Sequence, residues 1–209
     1  MALDIMKAES DVSPVDPPDD YDVLQPDPDR IEEAAKLLGE AENPLIFAGG
    51  GAIDAGGPLL TLAEMLEAPV VMSRSALGVV DSRNPLALTP PHGHKLWKDA
   101  DVVLGVGTRL VPMIPAWGTD DCLKQVRIDV DAKEITRSST PDVAVEADAA
   151  LALAALCDAV PSHNRKRADR TEEMTALKAD LQAEFDKLDP QMPILRAIRD
   201  TLPEDGTEI

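Results

Sequence analysis

Short apolar runs recur along the chain at spacings that leave little freedom in how it folds. They are Leu45-Ile46-Phe47-Ala48, Pro69-Val70-Val71-Met72, Val102-Val103-Leu104-Gly105-Val106-Gly107, Val126-Arg127-Ile128-Asp129-Val130 and Val143-Ala144-Val145. Short apolar runs without alternation, separated by helices or long loops, mark strands buried on both faces, as in a parallel sheet with crossover helices. Helical signals lie between them. Asp27 offers a cap and Pro28 a first helical position, after which Ile31, Ala34, Ala35 and Leu38 recur at i, i+3, i+4 and i+7. A second helix starts at Pro58 and places Leu59, Leu62, Ala63 and Leu66 on one face. The pattern predicts an α/β domain over residues 25–162: a doubly wound, mainly parallel, Rossmann-like sheet with helices on both faces.

The flanks have a different character. Residues 1–24 are acidic and rich in proline, too poor in apolar surface to offset the entropy of ordering, and read as linker. Residues 163–209 open with a charged stretch. Met174, Leu177, Leu181, Phe185 and Leu188 then form an amphipathic stripe that needs something to pack on, and a further helix runs from Pro193 to Leu202. The chain ends three residues after Gly206, where a strand is expected to begin, which reads as a cut.

Charge narrows the function classes. With 20 Lys+Arg against 39 Asp+Glu the formal charge is −19, and no basic patch stands out, so nucleic acid and anionic membranes are disfavoured partners. The longest apolar stretch, 45–66, is interrupted by glycines, Pro58 and Asp54, which excludes a spanning helix of about 20 apolar residues. The start, Met1-Ala2-Leu3-Asp4, has no basic leader, so a cytoplasmic location is expected. Cys122 and Cys157 have no paired histidine spacing and read as ordinary thiols.

In an open parallel sheet, ligands lie beyond the carboxyl ends of the strands. The residues there are Gly49-Gly50-Gly51, Ser73-Arg74, Gly107-Thr108-Arg109, Asp129-Val130-Asp131 and Glu146-Ala147-Asp148. Glycines let backbone N–H groups approach a phosphate, Arg109 can neutralise one, and the carboxylates can accept from ribose hydroxyls. The same residues also suit plain turn and cap chemistry, and both readings stand at this point. The strict dinucleotide fingerprint lacks its third glycine at both candidate turns, which disfavours a conventional dehydrogenase. His92-Gly93-His94 falls in a proline-rich loop and has no third metal ligand nearby, so no metal site is expected. No catalytic motif is present.

Taken in order, Asn43 to Ala52, Ala68 to Met72, Lys98 to Leu110, Ile128-Asp129-Val130-Asp131 with Glu134-Ile135, and Pro141 to Asp148 resemble the central domain of thiamine-diphosphate-dependent enzymes of the acetolactate synthase, pyruvate oxidase and benzoylformate decarboxylase type. The resemblance implies the Rossmann-like (DHS-like) fold already read from the runs. It also implies that residues 2–9 are the last strand of a pyrimidine-binding domain and residues 190–209 the first helix of a diphosphate-binding domain. The flanking domains would then be missing parts of the same polypeptide.

The parent enzyme implied is a lyase or transferase acting on 2-keto acids as a homodimer or homotetramer. Thiamine diphosphate and Mg would be held outside this chain, which alone would be inactive. Central domains of this family hold FAD in some members, ADP in others and nothing in several. The nucleotide-contacting positions carried over are Gly49, Gly50, Gly51, His92, Gly93, Gly107, Arg109, Asp129 and Asp148. Two departures stand out: the family's Gly-Met-His-Gly loop appears as Pro90-Pro91-His92-Gly93, and Leu110-Val111 replaces the acid that often follows the arginine. The alternatives are a free-standing NAD- or FAD-binding module, and a structural domain docking a partner through the Met174–Leu188 stripe.

Overall fold

The computed structural model describes residues 22–203 except Pro112, together with Glu9, Asp11, Ser13, Val15 and Asp16. The strand expected over residues 2–9 and the end of the chain beyond Pro203 lie outside the described residues.

Helix α1 (Pro28–Glu40) starts where the sequence places it. Asp27 caps it by accepting from Asp29 N at 2.9 Å, and Ile31, Ala34, Ala35 and Leu38 are buried. Strand β1 (Pro44–Ala48) is buried along its whole length. A 3-10 turn over Gly50–Ala55 leads into α2 (Gly56–Leu66), and β2 (Val70–Met72), β3 (Ala87–Leu88), α3 (Pro90–Trp97) and β4 (Val102–Val106) follow. The remaining elements of the domain are α4 (Met113–Trp117), β5 (Lys124–Asp129), α5 (Ala132–Ile135), β6 (Val143–Glu146) and α6 (Ala149–Ala159).

The six strands form one sheet in the order β3-β2-β1-β4-β5-β6, and every pairing is parallel. The connection β1–α2–β2 moves one way along the sheet, and β3–α3–β4 crosses back over β1. Right-handed crossovers that run in opposite directions put their helices on opposite faces. Helix α6, which follows the last strand, packs with α1 and α2, whereas α3, the helix of the reverse crossover, packs with the helix over Thr171–Phe185. Strand order therefore reverses between β1 and β4, and a crevice opens at that point.

Two elements differ from the expectation. The segment read as a proline-rich loop around His92 is helix α3. Pro90 and Pro91 occupy the first turn, where backbone N–H groups lack helical partners anyway, so they do not break it. Gly93 is required by packing, because a Cβ there would come within 2.8 Å of Val71 and 3.3 Å of Phe47. Strand β3 has only two residues, too short for any periodic signal.

Beyond α6, residues 163–170 are strapped to the end of α1. Arg167 donates to the carbonyls of Leu38, Gly39 and Ala41 at 2.7–2.9 Å, and His163 Nε2 lies 2.7 Å from Glu32 Oε1. Helix α7 (Thr171–Phe185) spends three residues of its apolar stripe on the domain itself. Met174 and Leu181 are buried, Leu177 packs on the core, and Lys178 donates to the carbonyls of Ser82 and Asn84. Of the stripe's other two residues, Phe185 is half-buried and Leu188 exposed. Helix α8 (Gln191–Thr201) has no buried residue and leaves Ile194, Leu195 and Ile198 exposed. Among the described residues, no helix is long and apolar enough to cross a membrane. Cys122 and Cys157 are unpaired thiols.

Candidate nucleotide crevice at the strand switch point

The turns after β1 and β4 meet backbone to backbone. Gly49 N donates to Val106 O at 2.9 Å and Gly51 N to Gly107 O at 3.1 Å. A Cβ on Gly51 would lie 2.8 Å from Gly107 Cα, and one on Gly49 would lie 2.6 Å from Thr108 Cβ and inside the Gly107 carbonyl. Gly107 itself sits at φ +54, in the left-handed region. These three glycines therefore answer to backbone crowding. Gly50 does not: a Cβ there would meet only Ser75, at 3.5 Å. Its N–H is the one of the first three glycines with no protein acceptor among the described residues.

The crevice above this contact has a volume of about 770 Å3, inside the range of about 300–1,000 Å3 usual for small-molecule sites. Six of the nine positions carried over from the resemblance line it: Gly49, Gly50, Gly51, Gly107, Arg109 and Asp129. The other three lie elsewhere. His92 closes the first turn of α3, with Nδ1 accepting from Thr89 N at 3.3 Å and 2.8 Å from Thr89 Oγ1. Gly93 is buried against β2. Asp148 caps α6 by accepting from Leu151 N at 3.0 Å.

Further side chains complete the walls: Ser73, Arg74 and Ser75 after β2, Thr108 after β4, and Glu134 from α5. Arg109 Nε is 3.8 Å from Glu134 Oε2, and Arg137 pairs with the other oxygen of the same carboxylate. The turn is tensioned at Leu110, a buried non-glycine residue at φ +51. Beneath it lies Arg127, fully buried, whose Nη2 donates to Thr108 O at 2.7 Å and at 3.4 Å to Glu134 O. Burial lowers the pKa of this guanidinium, and Asp129 and Glu134 oppose that shift. Sequence reasoning passed over Arg127. The available signal was a cation in the middle of a run that otherwise reads as a buried strand.

The donor set suits a phosphate-bearing nucleotide. One free backbone N–H, two guanidiniums and three hydroxyls face the crevice, with carboxylates at one end that can accept from ribose hydroxyls. Among the described residues, no group of three or more His, Cys, Asp or Glu comes together to hold a metal ion.

His92 also bears on stability. Burial, with Lys178 and Lys95 acting in the same direction, holds its pKa below the usual histidine range. The folded chain thus favours the neutral ring, and this contribution is present above the ordinary value of about 6.5 and lost as pH falls below it. Urea denaturation between pH 8 and pH 5 should show stability falling towards acid, with a shallower fall in His92→Gln. Equal slopes would remove His92 as a source.

The family model described as thiamine pyrophosphate enzyme, central domain, matches residues 31–156. Among curated proteins, the chain is 30% identical over 197 residues to the acetolactate synthase large subunit of Corynebacterium glutamicum, covering 87% of this chain and 31% of that protein. It is 39% identical over 128 residues to sulfoacetaldehyde acetyltransferase of Roseovarius nubinhibens, covering 56% and 21%. A solved thiamin diphosphate-dependent enzyme from Mycobacterium smegmatis superposes with a TM-score of 0.60 at 20% identity, covering 76% of this chain and 32% of that one, and so shares its fold. The chain spans a third or less of the length of these relatives. A parallel sheet reversing between β1 and β4, and a family match running from α1 to α6, make this chain a member of the thiamine pyrophosphate enzyme central-domain family.

Proposed function

We propose that the chain is the central domain of an enzyme that forms or breaks a carbon–carbon bond beside the carbonyl of a 2-keto acid, acetolactate synthase-like in chemistry, and that its crevice holds FAD or ADP. Thiamine diphosphate, held with Mg by flanking domains, supplies the electron sink for such chemistry. This chain's part is to bind and to orient. The single observation that carries the nucleotide reading is the crevice at the strand switch point, with Gly50 N–H unspent and Arg109 on its wall. Arg109 would pair with a phosphate, Gly50 N–H would donate to it, and Asp129 would accept from a ribose hydroxyl. The uncovered apolar face of α8 favours a domain inside a larger polypeptide, a homodimer or homotetramer, over a free-standing module.

Two measurements test this. The chain supplied with pyruvate, thiamine diphosphate and Mg should show no turnover; turnover would refute the division of labour. Calorimetric titration with FAD, ADP and NAD should show saturable binding of FAD or ADP. Trp97 and Trp117, whose ring centroids are 5.4 Å apart in a cluster with Phe47, give a fluorescence readout, since α4 carries both Trp117 and the crevice residue Met113. Flat titrations with all three would leave a scaffold with an empty crevice. Arg109→Ala should weaken binding by about 1.5–3 kcal/mol, the scale of a charged hydrogen bond.

A further inference from the structure

Residues 163–170 carry the chain from α6, on one face of the sheet, to α7, which packs with α3 on the other. Helices α1 and α2 end just before β1 and β2, so their last carbonyls lie along the amino edge of the sheet, opposite the crevice. The crossing segment is pinned to those carbonyls. Asn164 Nδ2 donates to Met65 O of α2 at 2.7 Å, Arg165 N to Gly39 O of α1 at 3.0 Å, and Arg167 Nη2 to Leu38, Gly39 and Ala41. Arg167 Nη1 also reaches Asn164 Oδ1 at 2.6 Å, which links the hold on α1 to the hold on α2. A guanidinium suits this place, because the carbonyl end of a helix carries partial negative charge and a fork of N–H donors serves several carbonyls at once.

The path is tight at its start and slack beyond. A Cβ on Gly39 would come within 2.8 Å of the His163 backbone. Further along, two cavities adjoin the segment: about 270 Å3 bounded by Leu45, Leu96, Arg170 and Glu173, and about 200 Å3 bounded by Glu64, Leu86, Asp169 and Thr171. Helix α7 then buries only Met174 and Leu181, whereas α1 buries Ile31, Ala34, Ala35 and Leu38. Helix α8 buries nothing and is tied to the end of α7 by Arg196 Nη2, 2.6 Å from Asp186 Oδ1. Voids forfeit packing contacts, and a unit with few buried side chains opens at lower free energy than a sheet buried throughout.

We propose that residues 163–170 are a latch, with Arg167 as its pin, whose release lets α7 and α8 come away from the sheet as one arm while the α/β domain stays folded. Arg167 is thus a positioning residue, which sets where the arm lies and touches no ligand. Latch and crevice occupy opposite edges, so release leaves the walls around Gly49 and Gly107 in place.

Hydrogen exchange of the full chain in increasing urea, below the unfolding transition, tests this. In wild type the amides of α7 should exchange through an opening of lower free energy and shallower urea dependence than that of β1 and β4, since less surface is exposed. Arg167→Ala should speed α7 exchange about ten- to a hundredfold, the worth of a charged hydrogen bond, with the shallow slope kept. Gly39→Ala keeps every Arg167 donor and favours helix in α1, yet crowds His163, so it should speed α7 in the same way. Ile46→Val is the control in the sheet: it should speed β1 and β4 by about two- to tenfold and leave α7 unchanged. Exchange of α7 with the slope and free energy of β1 and β4 in wild type would overturn the latch. So would unchanged α7 exchange in both latch variants, or acceleration of α7 by Ile46→Val as large as that of β1.

Discussion

Gly49→Ala and Gly107→Ala should each cost the chain about 3 kcal/mol or more, enough to unfold much of a marginally stable domain. The added methyl at Gly49 meets the Gly107 carbonyl and the Thr108 side chain. At Gly107 it meets the Gly51 backbone and must also hold φ +54. Over-packing of this kind costs about 1–3 kcal/mol, and the left-handed conformation adds about 1–2 kcal/mol for a residue with a Cβ. What must yield is backbone on both sides, the two turns that tie β1 to β4 at the centre of the sheet. Gly50→Ala is the internal control. Its methyl would meet only Ser75 at 3.5 Å and the backbone N–H is kept, so it should change stability by less than about 1 kcal/mol. Urea denaturation of the three variants checks this. Equal losses at 49, 50 and 107 would mean that backbone contact is not what fixes these glycines.

Arg127 should separate volume from charge. Truncation to alanine removes a fully buried side chain lying against Gly105, where a Cβ would stand 3.1 Å from its Cδ. It also removes the bond to Thr108 O. The void and the lost bond together predict a cost of about 3 kcal/mol. Arg127→Met keeps most of the volume and discards a buried cation whose Nε and Nη1 have no acceptor among the described residues, so it should fall within about 1 kcal/mol of wild type. Both variants release the Thr108 carbonyl and should weaken nucleotide binding through the Arg109 turn. A methionine variant as unstable as the alanine one would show that the cation itself holds the two walls together.

The periodic parts of the fold were legible from residues alone. The i, i+3, i+4, i+7 spacing of Ile31, Ala34, Ala35 and Leu38 marks the face that α1 buries, and the apolar runs mark β1, β2, β4, β5 and β6. Helix α3 was not legible as a helix, because Pro90, Pro91 and Gly93 are individually helix-breaking types. Position in the first turn and contact with Val71 make them compatible with it. The two-residue β3 leaves no period to detect.

At the crevice, strand-end position identified both glycine turns, Arg109 and Asp129. It could not separate a glycine held by crowding, such as Gly51, from one left open, such as Gly50, since that depends on how closely the β4 turn approaches. Asp148 shows the opposite limit. A strand-end acid and a helix cap look alike in sequence, and here the carboxylate takes Leu151 N. Arg74 was visible at the end of β2, but its place opposite Arg109 follows only from the strand order.

Amide hydrogen exchange of the chain with and without saturating ADP tests the central claim most directly, because it locates the ligand as well as detecting it. Slowed exchange is expected at residues 49–52, 73–76 and 107–110, the turns that bound the crevice, with α8 unchanged. Unchanged exchange at all three turns, or protection confined to α7 and α8, would contradict it.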